Sequence, residues 1–524
     1  MKFACVIWLF APMLTLCLSY GFAQEPGRNL YDMSFEELSK LKIMSASKSE
    51  QGLDEIPATL RIVTGTEIRE RGYFTLDEVL SDLPGFQFRN IMSLNSYIFQ
   101  RGIPNQNNLT LVLIDGIQTN ELNSGGFYGG GQYDLNNIER IEVVYGPASV
   151  AYGTNAVSGI INIVTREAAS RGGEIGTALG NFQTHRSHAS YRYESRDQTL
   201  GISISAQCLQ TGKANLKGIH GDNNWTDLLH IFENDYSGHI KIRYKDFTLG
   251  TDYMNKQTST ATTQTSVGTG YKDYGSLWNI QFMNNYLKYQ KSLNRDWNFS
   301  ATLYNRNATV MKNTIYYVCD TAQVGYYRPN NLTGLEGIFS YRPGNIFSST
   351  SGALIEYEEL AHGPSLTYSS SPELAPPEPD KPGIQRNYLI SLFVEPNFRL
   401  FRYLMLSGGL RFDQSSIYNQ VFTPRAGLKY ARTNYSFSLL YAEAFRAPKP
   451  WDYTDGLGNP GLQPERIRSF EATASASLFE KVACEVTVYH NLLLDGFQKE
   501  TSEEGYRWVN DSELKTLGAE LALR

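Results

Sequence analysis

From residue 172 onward, apolar and polar positions alternate with a period of two. Trp297, Phe299, Ala301 and Leu303 are interleaved with Asn298, Ser300, Thr302 and Tyr304. Phe470, Ala472, Ala474, Ala476 and Leu478 are interleaved in the same way with Glu471, Thr473, Ser475 and Ser477. Neighbouring side chains on a strand point to opposite faces, so each run predicts a strand with one apolar and one polar face. Phe437, Leu439 and Tyr441 follow the rule against Ser436 and Ser438, and Leu440 breaks it. Stretches rich in proline and serine, such as residues 363–382, suit long exterior loops.

Residues 48–167 read differently, as a mixed α/β domain. A strand is expected over residues 58–64, with a helix from Thr66 carrying Ile68 and Arg69. Thr75 caps a second helix through Leu76, Val79 and Leu80, which Pro84-Gly85 stops. Residues 109–116 form a buried strand ending in a turn at Asp115-Gly116, and further strands cover 138–145 and 160–164. The preceding leader, residues 24–47, is polar. It has a helix start at Ser34 with Glu37 at capping-box spacing, too short to be stable alone.

Residues 1–23 have the order of a secretory signal: Lys2, an apolar stretch over 6–18, and small residues at Gly21 and Ala23. No later stretch reaches the ~20 apolar residues of a membrane helix, so any membrane crossing must be by strands. Mean hydropathy of -0.35 fits this, because alternation hides the lipid-facing half of each strand. The 34 Tyr and 26 Phe suit a large β-protein with aromatic girdles. A net charge of -6 argues against a dedicated nucleic-acid binder. Cys208, Cys319 and Cys484 are too far apart to form a metal cluster and allow at most one disulfide.

Three blocks carry a more specific signal. The first is Ile56-Pro57-Ala58-Thr59, Leu76-Asp77-Glu78-Val79-Leu80 and Leu83-Pro84-Gly85-Phe86. The second is Phe99-Gln100-Arg101-Gly102-Ile103 followed by Leu113-Ile114-Asp115-Gly116. The third runs from Ile138 to Ser149, then through Tyr152-Gly153 to Ile161-Asn162-Ile163-Val164-Thr165. Together these resemble the plug of the TonB-dependent outer-membrane receptors. Ala444-Phe445-Arg446-Ala447-Pro448 and Asn459-Pro460-Gly461-Leu462-Gln463-Pro464-Glu465 resemble signatures late in their barrels.

The resemblance implies an all-β transmembrane antiparallel barrel of about 22 strands with an N-terminal mixed α/β plug domain inside the lumen. On that reading, the chain divides into signal peptide (1–23), leader (24–47), plug (48–167) and barrel (172–524). Glu520 normally lies several strands before the barrel's end, so the barrel is expected to be incomplete at its C-terminus. The implied function is energised uptake of a scarce iron–siderophore or cobalamin-like ligand across the outer membrane. TonB is the periplasmic partner and outer-membrane lipid the surroundings, with a single copy as the working unit.

Site residues follow from the same resemblance. Ile43, Met44, Ser45, Ala46, Ser47 and Lys48 occupy the place of the TonB box, where strand addition to a partner edge supplies grip with little sequence demand. Arg101 matches a plug arginine that pairs with barrel carboxylates, here Glu471 and Glu520. Tyr145 stands where the family usually has a second arginine, and Arg140 is the candidate to replace it. Plug–barrel contacts are expected to be polar and wet. Ligand contacts are expected from outward plug loops: Arg89, Asn95, Asn105, Gln106, Phe127, Tyr128 and Tyr133. Residues 123–133 hold five glycines around those last three aromatics, and the reading weighed there is backbone approach and flat apolar faces against an ordinary flexible loop.

No helix clearly follows the Gly125–Gly131 run, so it is not read as a phosphate cradle. His185 and His188, three apart on a strand, face opposite sides and cannot share a metal. No catalytic group, metal site or cofactor is expected. The competing class is a surface adhesion or interaction protein on the same plug-and-barrel scaffold; an outer-membrane enzyme or a passive pore is a third.

Overall fold

In the central domain, a five-residue strand, β3 (Leu60–Thr64), runs straight into helix α1 (Gly65–Arg71). The Thr64 hydroxyl accepts the Glu67 amide at 3.2 Å, satisfying one of the helix's free N–H groups, and left-handed Gly72 ends it. Helix α2 (Leu76–Ser81) starts at Thr75 with Glu78 folding back as a capping box and buries Leu76, Val79 and Leu80. The computed structural model describes residues 42–43, 48, 51–52, 55–92, 95–103, 109–168, 171–212, 231–260, 265–266, 270–271, 275–318, 322–371, 374–418, 420–478 and 482–523. The expected signal, the leader helix and Met44 to Ser47 lie outside these residues.

Two short strands, β1 (Lys42–Ile43) and β2 (Gln51–Gly52), pair antiparallel. A hairpin, β4 (Phe86–Met92) with β5 (Asn95–Gln100), follows α2. The remaining strands of this domain are β6 (Thr110–Ile114), β7 (Ile117–Gln118), β8 (Ile138–Tyr145) and β9 (Gly159–Thr165), with a short helix α3 (Ser149–Tyr152). They form a five-stranded sheet in the order β3-β8-β9-β6-β7, with β6 and β9 parallel. The sheet's apolar residues pack on α1 and α2: Val63, Val112, Ile141, Val143 and Ile161 meet Ile68, Leu76, Val79 and Leu80. Burying side chains of this size contributes roughly 1.5–3 kcal/mol each.

An 18-stranded sheet follows, from Gly172–Gly180 to Gly505–Leu523, each strand antiparallel to its neighbour. The sheet curves around the central domain, which is therefore a plug in a barrel wall. Among the described pairings none joins the first strand to the last, so the barrel is not closed. Short turns such as 245–246 and 402–403 cluster at one end, and the longer connections 212–232, 362–383 and 447–464 at the other.

The outward face has three levels. Tyr236, Tyr388, Phe422 and Phe470 are exposed at the long-loop end, and Tyr244, Phe247, Trp297, Phe398 and Tyr435 at the short-turn end. Between them lie exposed aliphatics such as Ile240, Leu249, Leu303, Ile390, Leu392 and Leu439. At ~3.3 Å per residue and a tilt of ~40°, the two aromatic levels stand roughly 20–25 Å apart, the height of a hydrocarbon band.

Leu440, which broke the sequence alternation, faces inward and is buried against Ile56, Ala58 and Leu111. Elsewhere Met254, Trp278, Phe282 and Val310 of the wall join the plug's main core, and Ala444, Ile467 and Leu493 meet Ile103, Leu109 and Val157. The expectation of a purely polar interface is thus corrected. A one-layer plug sheet cannot cover both of its faces, so apolar wall residues complete them.

Candidate functional site

Arg101 sits at the turn after β5 with φ +54°, a left-handed conformation that non-glycine residues adopt rarely, beside left-handed Gly102. Its amide donates to the Gly85 carbonyl at 2.9 Å, fixing the turn. The side chain reaches the wall, where Nε and Nη2 each donate to the Glu520 carboxylate at 3.0 Å and Nη1 to Glu471. All three charges are buried. The geometry is a bidentate fork on one carboxylate plus a single bond to another, which spreads one cation over two anions. Glu471 also accepts the Thr59 amide (3.0 Å) and hydroxyl (2.7 Å). Gly85 is required here, since a Cβ would stand 2.4 Å from Glu520 Oε1.

Tyr145, the departure from the family pattern, lies on the same group. Its ring faces the guanidinium at 4.8 Å, with Tyr489 at 4.6 Å on another side, and its hydroxyl donates to the Pro84 carbonyl at 2.8 Å. One arginine between aromatic faces thus stands where two arginines were expected. Arg140 does not replace the missing one. It pairs with Glu139 and with Glu142 at 2.7 Å on its own strand, because a strand position five residues earlier faces a different neighbour. Tyr145→Phe is expected to keep the stacking but lose the bond to Pro84, costing about 1 kcal/mol of plug stability by hydrogen exchange.

The glycine-rich segment differs from expectation. Phe127, Tyr128 and Tyr133 are buried in the main core rather than presented to a ligand. Tyr128 packs on Trp278 (6.4 Å) and Phe282 (6.1 Å) of the wall. The glycines let the backbone approach its neighbours closely: a Cβ at Gly131 would stand 2.0 Å from Leu209 of the wall, one at Gly130 2.5 Å from Lys256 Nζ of the wall, and one at Gly129 1.9 Å from Asp77 of α2. Gly131 donates its amide to Glu233 (3.0 Å) and accepts from the Gln207 amide group (2.7 Å). Lys256, wholly buried, bridges Glu233 (2.7 Å) and Asp235 (3.4 Å) beside it.

Two further links tie plug to wall. Glu121 accepts Arg328 (3.1 Å) and Asn330 (3.0 Å) along with its own loop's Asn123 and Ser124. Asp115, at left-handed φ +50° in the β6–β7 turn, accepts Lys241 (2.9 Å) and the Thr165 hydroxyl (2.6 Å). Burial alone would push the Asp115 carboxyl up, but the Lys241 charge and the Thr165 bonds outweigh it and hold it below its ordinary value. Sequence reading missed these groups. Glu233 and Asp235 carry a usable signal, since charges two apart on a strand share one face, and that face must be the lumen.

Ile43 is fully buried beside Ile56, Ala58 and Ile62, and Lys48 forms an ion pair with Glu336 of the wall. Arg89 and Asn95 belong to the β4–β5 hairpin, but their side chains, like Asn105 and Gln106, lie outside the described residues. Near the long-loop end Arg446 pairs with Glu465 and, at 3.2 Å, with Asp452 of a short helix α4 (Pro450–Thr454). This pairing joins the two late-barrel segments singled out in the sequence.

The family model described as TonB-dependent Receptor Plug Domain matches residues 52–160, and the model described as TonB dependent receptor-like, beta-barrel matches residues 211–524. Vitamin B12 transporter BtuB of Vibrio vulnificus is 25% identical over 86% of this chain and 69% of its own length. The iron-regulated outer membrane virulence protein of Vibrio cholerae is 23% identical over 92% of this chain and 74% of its own. Among solved structures, the pyoverdine outer membrane receptor FpvA of Pseudomonas aeruginosa matches with a TM-score of 0.71 at 14% identity, covering 96% of this chain and 80% of that one. The siderophore receptor PirA of Acinetobacter baumannii gives 0.67 at 14% identity over 88% and 77%. With a barrel model matched over more than half its length and a plug model over most of the rest, this chain belongs to the TonB-dependent receptors of the outer membrane.

Proposed function

We propose that the chain takes up a scarce ligand, an iron–siderophore complex or a cobalamin-like corrinoid, across the outer membrane with energy delivered by TonB. The observation that carries this is a folded plug held in the lumen through buried ion pairs to the wall. A plug fixed only by apolar burial would be hard to shift, whereas discrete ion pairs and hydrogen bonds to the wall can be broken one after another once strained. Relatives named for vitamin B12, pyoverdine and siderophores support the ligand classes. Residues 43–48 are the segment offered to TonB, which pairs with them as an added strand.

Deleting residues 43–48 is expected to abolish accumulation of ferric enterobactin or cyanocobalamin, whichever the intact receptor transports, while leaving its surface binding unchanged. Transport at the full rate after that deletion would overturn the uptake reading. Host-surface binding indifferent to the deletion, with neither probe transported by the intact receptor, would favour adhesion.

A further inference from the structure

Two neighbouring turns at the short-turn rim each carry an exposed arginine. Arg402 and Tyr403 join strand Ile384–Phe401 to Leu404–Ser415, and residues 432–434 join Val421–Ala431 to Tyr435–Arg446. The turns are tied together, because the Ala431 amide donates to the Tyr403 carbonyl at 2.9 Å. Both guanidiniums lie over one ring: Arg432 is 4.6 Å from the Tyr403 centroid and Arg402 is 5.4 Å from it. Arg432 Nε also donates to the Tyr430 hydroxyl at 2.8 Å, and the Tyr435 ring lies 6.1 Å from that of Tyr430.

The pair differs from other basic groups on the same rim in having no acid beside it. At four other short turns a carboxylate accompanies the cation. Arg196 precedes Asp197, Lys245 precedes Asp246, Arg295 precedes Asp296, and Arg342 pairs with Glu55 at 3.0 Å. Turns 402–403 and 432–434 contain no acid, and among the described residues neither Arg402 nor Arg432 has a carboxylate partner. Stacking on a tyrosine covers the flat face of a guanidinium and leaves its in-plane N–H donors free for a planar, bidentate acceptor.

The surroundings show which acceptor fits. The two turns lie at the edge of the hydrocarbon band, where tyrosines mark the boundary between lipid and water. Next to them, the outward faces of the same four strands expose Phe398, Leu400, Leu406, Phe437 and Leu439. Gly408 and Ala426 face each other across two of these strands, and a Cβ added at Gly408 would meet Pro396 at 3.9 Å, so the apolar surface is shallow there. Unneutralised cations on phenol rings above a dip in an apolar surface complement a molecule with an anionic head and hydrocarbon chains.

We propose that Arg402 and Arg432, held on Tyr403 and Tyr430, bind the phosphate of an anionic glycerophospholipid in the periplasmic leaflet. Its acyl chains lie along the outward face of strands 384–446. The guanidiniums donate to the phosphate oxygens as charge-assisted bonds. A zwitterionic lipid brings its own ammonium, which the two cations repel, so the site selects a headgroup of net negative charge. The site stands apart from the plug and does not depend on which ligand the receptor takes up.

The test titrates the intact receptor, purified in a neutral detergent, with phosphatidylglycerol or phosphatidylcholine. Native mass spectrometry counts the lipids retained on each receptor. One phosphatidylglycerol is expected to be held more tightly than further copies and than any phosphatidylcholine. Arg402→Gln and Arg432→Gln should each weaken that binding about fivefold, and the double variant about twentyfold, in line with the usual effect of one basic residue at a charged lipid surface. Both side chains are exposed, so their removal leaves the wall intact. Arg386→Gln, an exposed arginine at the long-loop end, should leave the binding unchanged. Equal retention of the two lipids overturns the proposal, as does undiminished binding in the double variant or an equal loss in Arg386→Gln. Displacement of the lipid by inorganic phosphate would mark a site for free anions and overturn it as well.

Discussion

Arg101→Ala is expected to lower the free energy holding the plug in place by roughly 3–5 kcal/mol, the usual cost of removing one partner from a buried charge network. The variant leaves Glu471 and Glu520 facing each other across the vacated space, with both anions buried. It also removes the group on which Tyr145 and Tyr489 lie. Arg101→Lys should recover only part of the loss, since an ammonium cannot form the fork on Glu520. Hydrogen–deuterium exchange of peptides from residues 56–166 reads the effect directly. Exchange should quicken there by a factor of a hundred or more, on the order of what 3 kcal/mol implies, while peptides of the lipid-facing strands stay slow. Unchanged exchange in the plug would show that the triad is not what retains it.

The second large effect is expected at Lys256. Lys256→Ala leaves Glu233 and Asp235 without their shared cation in a fully buried place, again a cost of roughly 3–5 kcal/mol. Here the consequence is local, because Glu233 also receives the Gly131 amide. Segment 125–133 should come away from the wall, and conductance across a planar bilayer should rise above that of the intact receptor. Adding Glu233→Gln and Asp235→Asn to the lysine variant should restore much of the loss, since neutral amides can be buried without a counter-ion. A leak that persists in the triple variant at the level of the single one would show that packing of the lysine stem, not charge, closes the segment.

Local signals carried most of the fold. Thr64, Thr75 and Pro84-Gly85 punctuate α1 and α2 because caps and turns act within a few residues. Period-two alternation correctly put Glu471 on the lumen face and Phe470 on the lipid face. What depends on partners distant in sequence was less visible. The burial of Phe127, Tyr128 and Tyr133 is decided by Trp278 and Phe282, more than a hundred residues away, and a glycine-rich stretch looks the same whether it hugs a ligand or a wall. Arg140 was misplaced because one strand's alternation does not say which neighbour each face meets. Leu440 looked like an error of pattern only while the plug's apolar edge was unseen.

The two aromatic levels on the outer wall have a mechanical meaning. Any tug on the plug toward the cell interior is met by an equal tug on the strands that grip it, through Arg101, Lys256 and their partners. A wall free to slide would simply follow. To follow, it would have to drag Tyr388, Phe422 and Phe470 off the lipid surface into hydrocarbon and drive Tyr435 and Trp297 out toward the periplasm. Rings at both rims resist that slip in either direction. They act as the footing against which work can be done, so that force applied to the leader goes into breaking contacts inside the lumen rather than into towing the whole receptor through its membrane.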